Sequence, residues 1–259
     1  MKRACLIGYG AIAKTIEREL LSYPARVTLA GVLVRTRNCH GAVTDQGHAF
    51  YSSIDEVITN GCDVAVECAG HTALRAMGPA CLAAGIDLIV ASVGALADPA
   101  TEQALRDSAA RGGGRLIIPS GAVAGLDGIA AARAAGIDRV VYRARKPVRS
   151  WEGTPAEQMV DLKSLTGATP FFRGNAREAC ALFPQNANVT AAISLAGIGF
   201  ENTEVTLEAD PGGTCNEHYV SVEGRFGRMD ISLHGQPLPT NPKSSMLAAY
   251  SLVSSLLGD

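Results

Sequence analysis

The chain has 259 residues, of which 47% are hydrophobic and 19% charged, with a formal net charge of −2. This composition fits a globular protein with room for one large or two modest cores, and the near-neutral balance gives no electrostatic case for nucleic acid or an anionic membrane as partner. No apolar run reaches the roughly 18 residues that a membrane span needs.

The first predicted element is a short apolar strand, Ala4 to Ile7, followed at once by Gly8-Tyr9-Gly10-Ala11-Ile12-Ala13 and a helix from Ala11 to about Ser22. The pattern G-x-G-x-x-A between strand and helix is a dinucleotide-binding fingerprint. Its glycines permit a tight turn and close backbone approach to a pyrophosphate, and the helix N-terminus offers unpaired N–H groups. Gly8, Gly10, Ala11 and Ile12 are therefore cofactor-binding candidates. Residues 26–34 read as a second strand, and a polar loop then leads to a short helix at 54–59. Residues 63–69 form the next strand, and His71 to Ala84 a helix stopped by Gly85. Ala69 and Gly70 precede that helix at the cofactor edge of the sheet. A strand at 86–90 follows, then a helix capped by Asp98 with Pro99 in its first position, then a strand at 116–118. Continuous apolar strands separated by helices imply a parallel sheet covered on both faces, a doubly wound Rossmann domain over residues 1–120.

The second half changes style. Residues 140–145, 203–208, 219–223 and 225–233 alternate apolar with polar, which marks strands with one wet face and a mainly antiparallel sheet. Helices are expected at 175–182, 188–196 and 242–257. The organisation expected is an α/β chain: the Rossmann domain, an α+β catalytic and dimerisation domain over 121–240, and a C-terminal segment, 241–259, packing back on the first. Seven cysteines, with no C-x-x-C pair, read as reduced thiols of a cytoplasmic protein. The chain enters its first strand directly, so no signal peptide is expected. No His, Cys, Asp and Glu cluster has metal-ligand spacing, and no metal is expected.

Several motifs carry a family resemblance: Glu67-Cys68-Ala69-Gly70-His71, Ser92-Val93-Gly94-Ala95-Leu96, Gly121-Ala122-Val123-Ala124-Gly125-Leu126-Asp127, Arg145-Lys146-Pro147, Asn186-Ala187-Asn188-Val189, Cys215-Asn216-Glu217-His218 and Asn241-Pro242-Lys243-Ser244-Ser245. In this order and over nearly the whole chain, the set resembles the L-aspartate dehydrogenases associated with NAD biosynthesis. The resemblance implies oxidation of L-aspartate by NAD or NADP to iminoaspartate, which yields oxaloacetate and ammonia or feeds quinolinate formation. It also implies a homodimer and an active site between the domains. A different oxidoreductase on the same plan, of the homoserine dehydrogenase or dihydrodipicolinate reductase type, or a non-catalytic dinucleotide sensor, is the alternative.

Among five histidines, the residues alone leave the choice of proton-handling group open. His218 precedes a strand at a loop junction, and His71 opens a helix at the cofactor edge. A histidine titrating near neutrality suits amine oxidation and imine hydrolysis. The resemblance assigns the catalytic role to His218. It likewise implies main-chain contact of Ala122 with the cofactor, and places Asn188, otherwise read as a helix cap, against the nicotinamide end. Arg35 stands where many NAD enzymes carry an acid that holds the ribose 2′-OH; a guanidinium would pair with a 2′-phosphate, so NADP is expected to be accepted at least as readily as NAD. Two substrate carboxylates call for cations, and Arg145, Lys146, Lys243 and Arg173 are the candidates.

Overall fold

The computed structural model describes residues 1–35 and 42–258, without the side chains of Pro242 and Lys243. Two compact units divide the chain: residues 1–119 with 248–259, and residues 120–247.

The first unit is a six-stranded parallel sheet in the order β3-β2-β1-β4-β5-β6. Its elements are β1 (Lys2–Ile7), α1 (Ala11–Leu20), β2 (Val27–Leu33), β3 (Phe50–Tyr51), α2 (Ile54–Thr59), β4 (Val64–Glu67), α3 (His71–Ala83), β5 (Asp87–Val90), α4 (Pro99–Gly112) and β6 (Leu116–Ile117). This is the strand order of a dinucleotide-binding Rossmann sheet, with the reversal of direction between β1 and β4. The strands are buried on both faces because helices cover both, which is why they read as unbroken apolar runs. Sequence and structure agree closely here: Asp98 accepts from the Thr101 N–H as the cap of α4, and Gly113 ends it with a left-handed φ of 82°.

The second unit contains α5 (Leu126–Ala135), β7 (Ile137–Pro147), α6 (Ala156–Met159), β8 (Thr169–Asn175), α7 (Ala176–Leu182), α8 (Ala187–Ala196), β9 (Thr203–Asp210), β10 (Asn216–Gly224), β11 (Gly227–Gly235), β12 (Pro237–Leu238) and β13 (Asn241–Ser245). Its five-stranded sheet runs β11-β10-β7-β9-β8, antiparallel except for the parallel β7–β9 pair. One face is dry and is lined by Val140, Tyr142, Val205, Leu207, Val220 and Val222. The other carries ion pairs, Arg139 with Glu204, Arg145 with Glu208 and Arg228 with Asp230.

α9 (Met246–Leu257) closes the chain. Residues 242–245, expected in that helix, instead belong to β13, which pairs with β12; proline at position 242 cannot donate within a helix, and the extended backbone suits it. From Ala248 onward α9 is part of the first unit. Leu252, Val253, Leu256 and Leu257 join the core of β1, α1 and β2. Lys2 Nζ donates to the Leu256 carbonyl at 3.0 Å and Arg26 to that of Leu257 at 2.5 Å, placing cations on the negative end of the helix. The helix α5 and the strand β8 were not expected from the sequence; Ala-rich residues 129–135 and the Pro170-containing edge strand carry weak periodic signals.

Candidate functional site

In the first unit the chemistry is carried by backbone. Gly8 adopts φ +93°, and a Cβ there would lie 2.8 Å from Ala69 Cβ, so glycine alone lets the turn after β1 abut the turn after β4. Gly10 is the N-cap of α1, takes no side-chain cap, and has open space where a Cβ would stand. No acidic side chain occupies the first turn of α1. An uncapped, unobstructed helix N-terminus of this kind fits a pyrophosphate, with Gly10, Ala11 and Ile12 offering N–H groups. Gly70, φ +101°, is the N-cap of α3.

Two buried carboxylates that the sequence did not single out hold these turns. Glu67, at the end of β4, accepts from the Ala69 and Gly70 N–H groups at 2.7 Å each, and from the Ser92 N–H and hydroxyl at 3.0 Å each. Burial pushes its carboxyl up despite these four donors. Glu17, in α1, accepts from the Tyr9 hydroxyl at 2.6 Å and from the Thr44 hydroxyl, and meets His48 Nδ1 at 2.7 Å. Tyr9, the residue between the two glycines, also accepts from the Asp45 N–H at 2.8 Å. Burial and Glu17 push its phenol up to about 12. His48 thus has a structural role. Arg35 is exposed, two residues beyond β2; Arg37, Cys39 and His40 lie outside the described residues.

In the second unit the candidate groups are side chains on the dry face of the sheet. His218 is the third residue of β10 and only 3% exposed, not at a loop junction as its sequence neighbourhood suggests. Its Nδ1 meets the Tyr142 hydroxyl at 2.8 Å. Burial, and then the charge of Lys146, push the imidazole down to about 3, which favours the neutral ring at physiological pH. Among the described residues Ser245 Oγ is the one fully sealed side-chain polar atom without a partner. His218 Nε2 also takes no partner among the described residues, yet is not one of the sealed atoms, so it keeps some exposure.

Strand parity sorts the cationic candidates. In β7, Tyr142, Ala144 and Lys146 share one face, and Ala144 is directly opposite His218. Lys146 donates to Asn186 Oδ1 at 2.6 Å and lies 5.4 Å from the centre of the Trp151 ring. Desolvation pushes its ammonium down to about 8. Arg145 points the other way. Its Nε donates to Glu208 at 2.9 Å, and its guanidinium lies 3.8 Å from Glu217, so the structure does not bring it together with His218. Arg173 is exposed on β8, and the Lys243 side chain lies outside the described residues. Asn188 is not the cap of α8: the helix begins at Ala187, Asn186 is its N-cap residue, and the Asn186 side chain is engaged by Lys146 instead. Ala122 is buried in the turn before α5.

One group among the described residues has donor atoms close enough for a metal ion: Cys215, Glu217 and His234, within 4.8 Å of one another. The Glu217 carboxylate already accepts from the Tyr219 hydroxyl at 2.5 Å and neighbours Arg145. No helix among the described residues is long and apolar enough to cross a membrane.

A backbone cradle for a pyrophosphate, set in a sheet of this strand order, defines the class as a NAD- or NADP-dependent oxidoreductase. Comparison with known proteins agrees. Residues 8–119 match the model of the homoserine dehydrogenase NAD binding domain, and residues 127–258 that of the aspartate dehydrogenase C-terminal region. The chain is 43% identical to an L-aspartate dehydrogenase of Ruegeria pomeroyi, over 98% of this chain and 91% of the relative. It is 44% identical to one of Serratia proteamaculans, over 98% and 95%. The crystal structure of aspartate dehydrogenase from Thermotoga maritima is similar across 100% of this chain and 96% of its own, with a TM-score of 0.75 and 25% identity. The chain belongs to the aspartate dehydrogenase family.

Proposed function

We propose that the protein oxidises L-aspartate with NAD or NADP to iminoaspartate, which hydrolyses to oxaloacetate and ammonia, and that it catalyses the reverse reaction. The observation that carries this reading within the fold is the placement of His218 and Lys146 on one dry face of the second sheet. The Lys146 ammonium, where it remains charged, pairs with a substrate carboxylate. His218, whose Nε2 takes no partner among the described residues, acts at the substrate's reacting groups and at the oxygen that water adds to the imine.

Gly8, Gly10, Ala11, Ile12, Ala69 and Gly70 hold the dinucleotide through their main chain, and Glu67 and Glu17 fix the turns that present them. Arg35 meets the nucleotide's ribose end, while Ala122 and Asn188 contact its other end. When bound, the nicotinamide supplies the acceptor for the hydride from the substrate Cα. The working unit in this reading is a homodimer.

The test is kcat/KM for L-aspartate, L-alanine, L-asparagine and D-aspartate. A site that holds both carboxylates leaves buried donors unpaired when the distal one is missing, so aspartate should exceed alanine by about 10⁴ or more. Comparable values for the two would overturn the substrate assignment and leave the cofactor site standing.

A further inference from the structure

If His218 serves the reaction as proposed above, the form in which its ring is held decides what it can do. Tyr142 lies in the middle of β7, 1% exposed, between Val205 of β9 and Val220 of β10. Its hydroxyl has a single hydrogen-bond partner, the Nδ1 of His218 at 2.8 Å. The two rings lie nearly parallel, 12° apart.

A neutral imidazole carries one proton, on Nδ1 or on Nε2. With the proton on Nδ1, Tyr142 would be the acceptor, and its own buried O–H would have no hydrogen-bond acceptor among the described residues. With Nδ1 bare, the phenol donates and both groups are satisfied. A sealed donor without an acceptor loses its hydration and regains nothing, so the second arrangement is the stable one. Lys146 adds to this from the same face, because a nearby cation disfavours a second proton on the ring.

We infer that Tyr142 is a positioning residue that donates to His218 Nδ1 and so holds His218 in the tautomer whose proton sits on Nε2. The nitrogen that keeps some exposure is then a neutral hydrogen-bond donor. It can polarise a carbonyl or carbinolamine oxygen of the substrate, and it cannot take a proton from the substrate's amine. Neutral histidines act in this electrophilic way where a base would be mis-set. The sequence pointed to a titrating base; the hydrogen bond assigns a fixed donor.

The decisive measurement is nitrogen NMR of the full-length protein labelled with ¹⁵N-histidine, with the His218 signals identified by their loss in His218→Asn. The expected result is a bare Nδ1 and a protonated Nε2 from pH 6 to 9. A protonated Nδ1 would overturn the inference regardless of activity. In kinetics, Tyr142→Phe should lower kcat by about 10- to 100-fold with the cofactor KM unchanged, the usual cost of losing the partner that fixes a functional histidine's tautomer and orientation. In a His218→Ala background the same substitution should have almost no further effect. An equal loss in both backgrounds would make Tyr142 a packing residue and overturn the inference. Near-normal kcat in His218→Ala alone would instead remove the histidine's role, and the NMR result would still report the tautomer.

Discussion

The two units bind chemistry in opposite ways. In the first, the turn at Gly8–Ile12 and the N-terminus of α3 work through main-chain N–H groups, and the side chains nearby, Glu17 and Glu67, serve to hold backbone in place. In the second, the backbone of the inner strands β7 and β10 is engaged in ladders on both sides, and the proposed function falls to the side chains of alternate residues, Tyr142, Lys146 and His218. A main-chain site is specified by a few consecutive residues. A side-chain site on a sheet depends on register between strands some 75 residues apart, as Tyr142 and His218 are. Substitutions should therefore separate: those in the glycine turn and at Arg35 should move nucleotide binding, and those at Tyr142, Lys146 and His218 should move substrate binding and turnover.

The sharpest way to break this contrast is His218→Ala. The expected loss in kcat is about 10²- to 10⁴-fold, with nucleotide affinity little changed; the check is steady-state kinetics alongside direct titration of NADP or NAD. A parallel loss of nucleotide affinity would erase the distinction between the units.

Arg35→Ala probes the opposite arm. It should weaken NADP by about 10- to 100-fold, a range set by loss of a charged hydrogen bond, while NAD changes much less. Measured dissociation constants for both nucleotides decide it, and equal effects would place nucleotide selectivity elsewhere.

Lys146 gives the smallest and most diagnostic effect. Its folded pKa is depressed to about 8, so its ammonium is present below that pH and lost above it. Inhibition by succinate, a dicarboxylate with no amine to titrate, should weaken about tenfold between pH 7 and pH 9 as the ammonium fraction falls. The dependence should vanish in Lys146→Gln. The sign for stability is opposite: between about 8 and the ordinary lysine value the unfolded chain binds the extra proton, so this residue's burial penalty shrinks as pH rises.

The contrast also explains what could be read in advance. The glycine turn, the caps at Asp98 and Gly113 and the continuous apolar strands are local, and five of the six strands of the first sheet follow from them, the short edge strand β3 being missed. The alternation in the second half identified a sheet with one wet face. The sequence left Arg145 and Lys146 unranked; the structure separates them, since odd and even residues of β7 face opposite ways. What no local pattern carries is register. That Tyr142 would lie against His218, that Asn186 would engage Lys146 and leave α8 without a side-chain cap, and that β7 and β9 would pair in parallel all depend on contacts between distant segments. Glu17 and Glu67 escaped notice for a similar reason, because a buried carboxylate looks like a surface one until its donors are in place.

The return of α9 to the first unit has a consequence for how the chain tolerates truncation. Residues 120–247 are contiguous, but the apolar surface of β1 and α1 is completed only by Leu252, Val253, Leu256 and Leu257. The nucleotide-binding unit is therefore discontinuous in sequence, its two pieces separated by the whole of the second unit, and a chain truncated before residue 248 should keep residues 120–247 while leaving the apolar surface of β1 and α1 exposed.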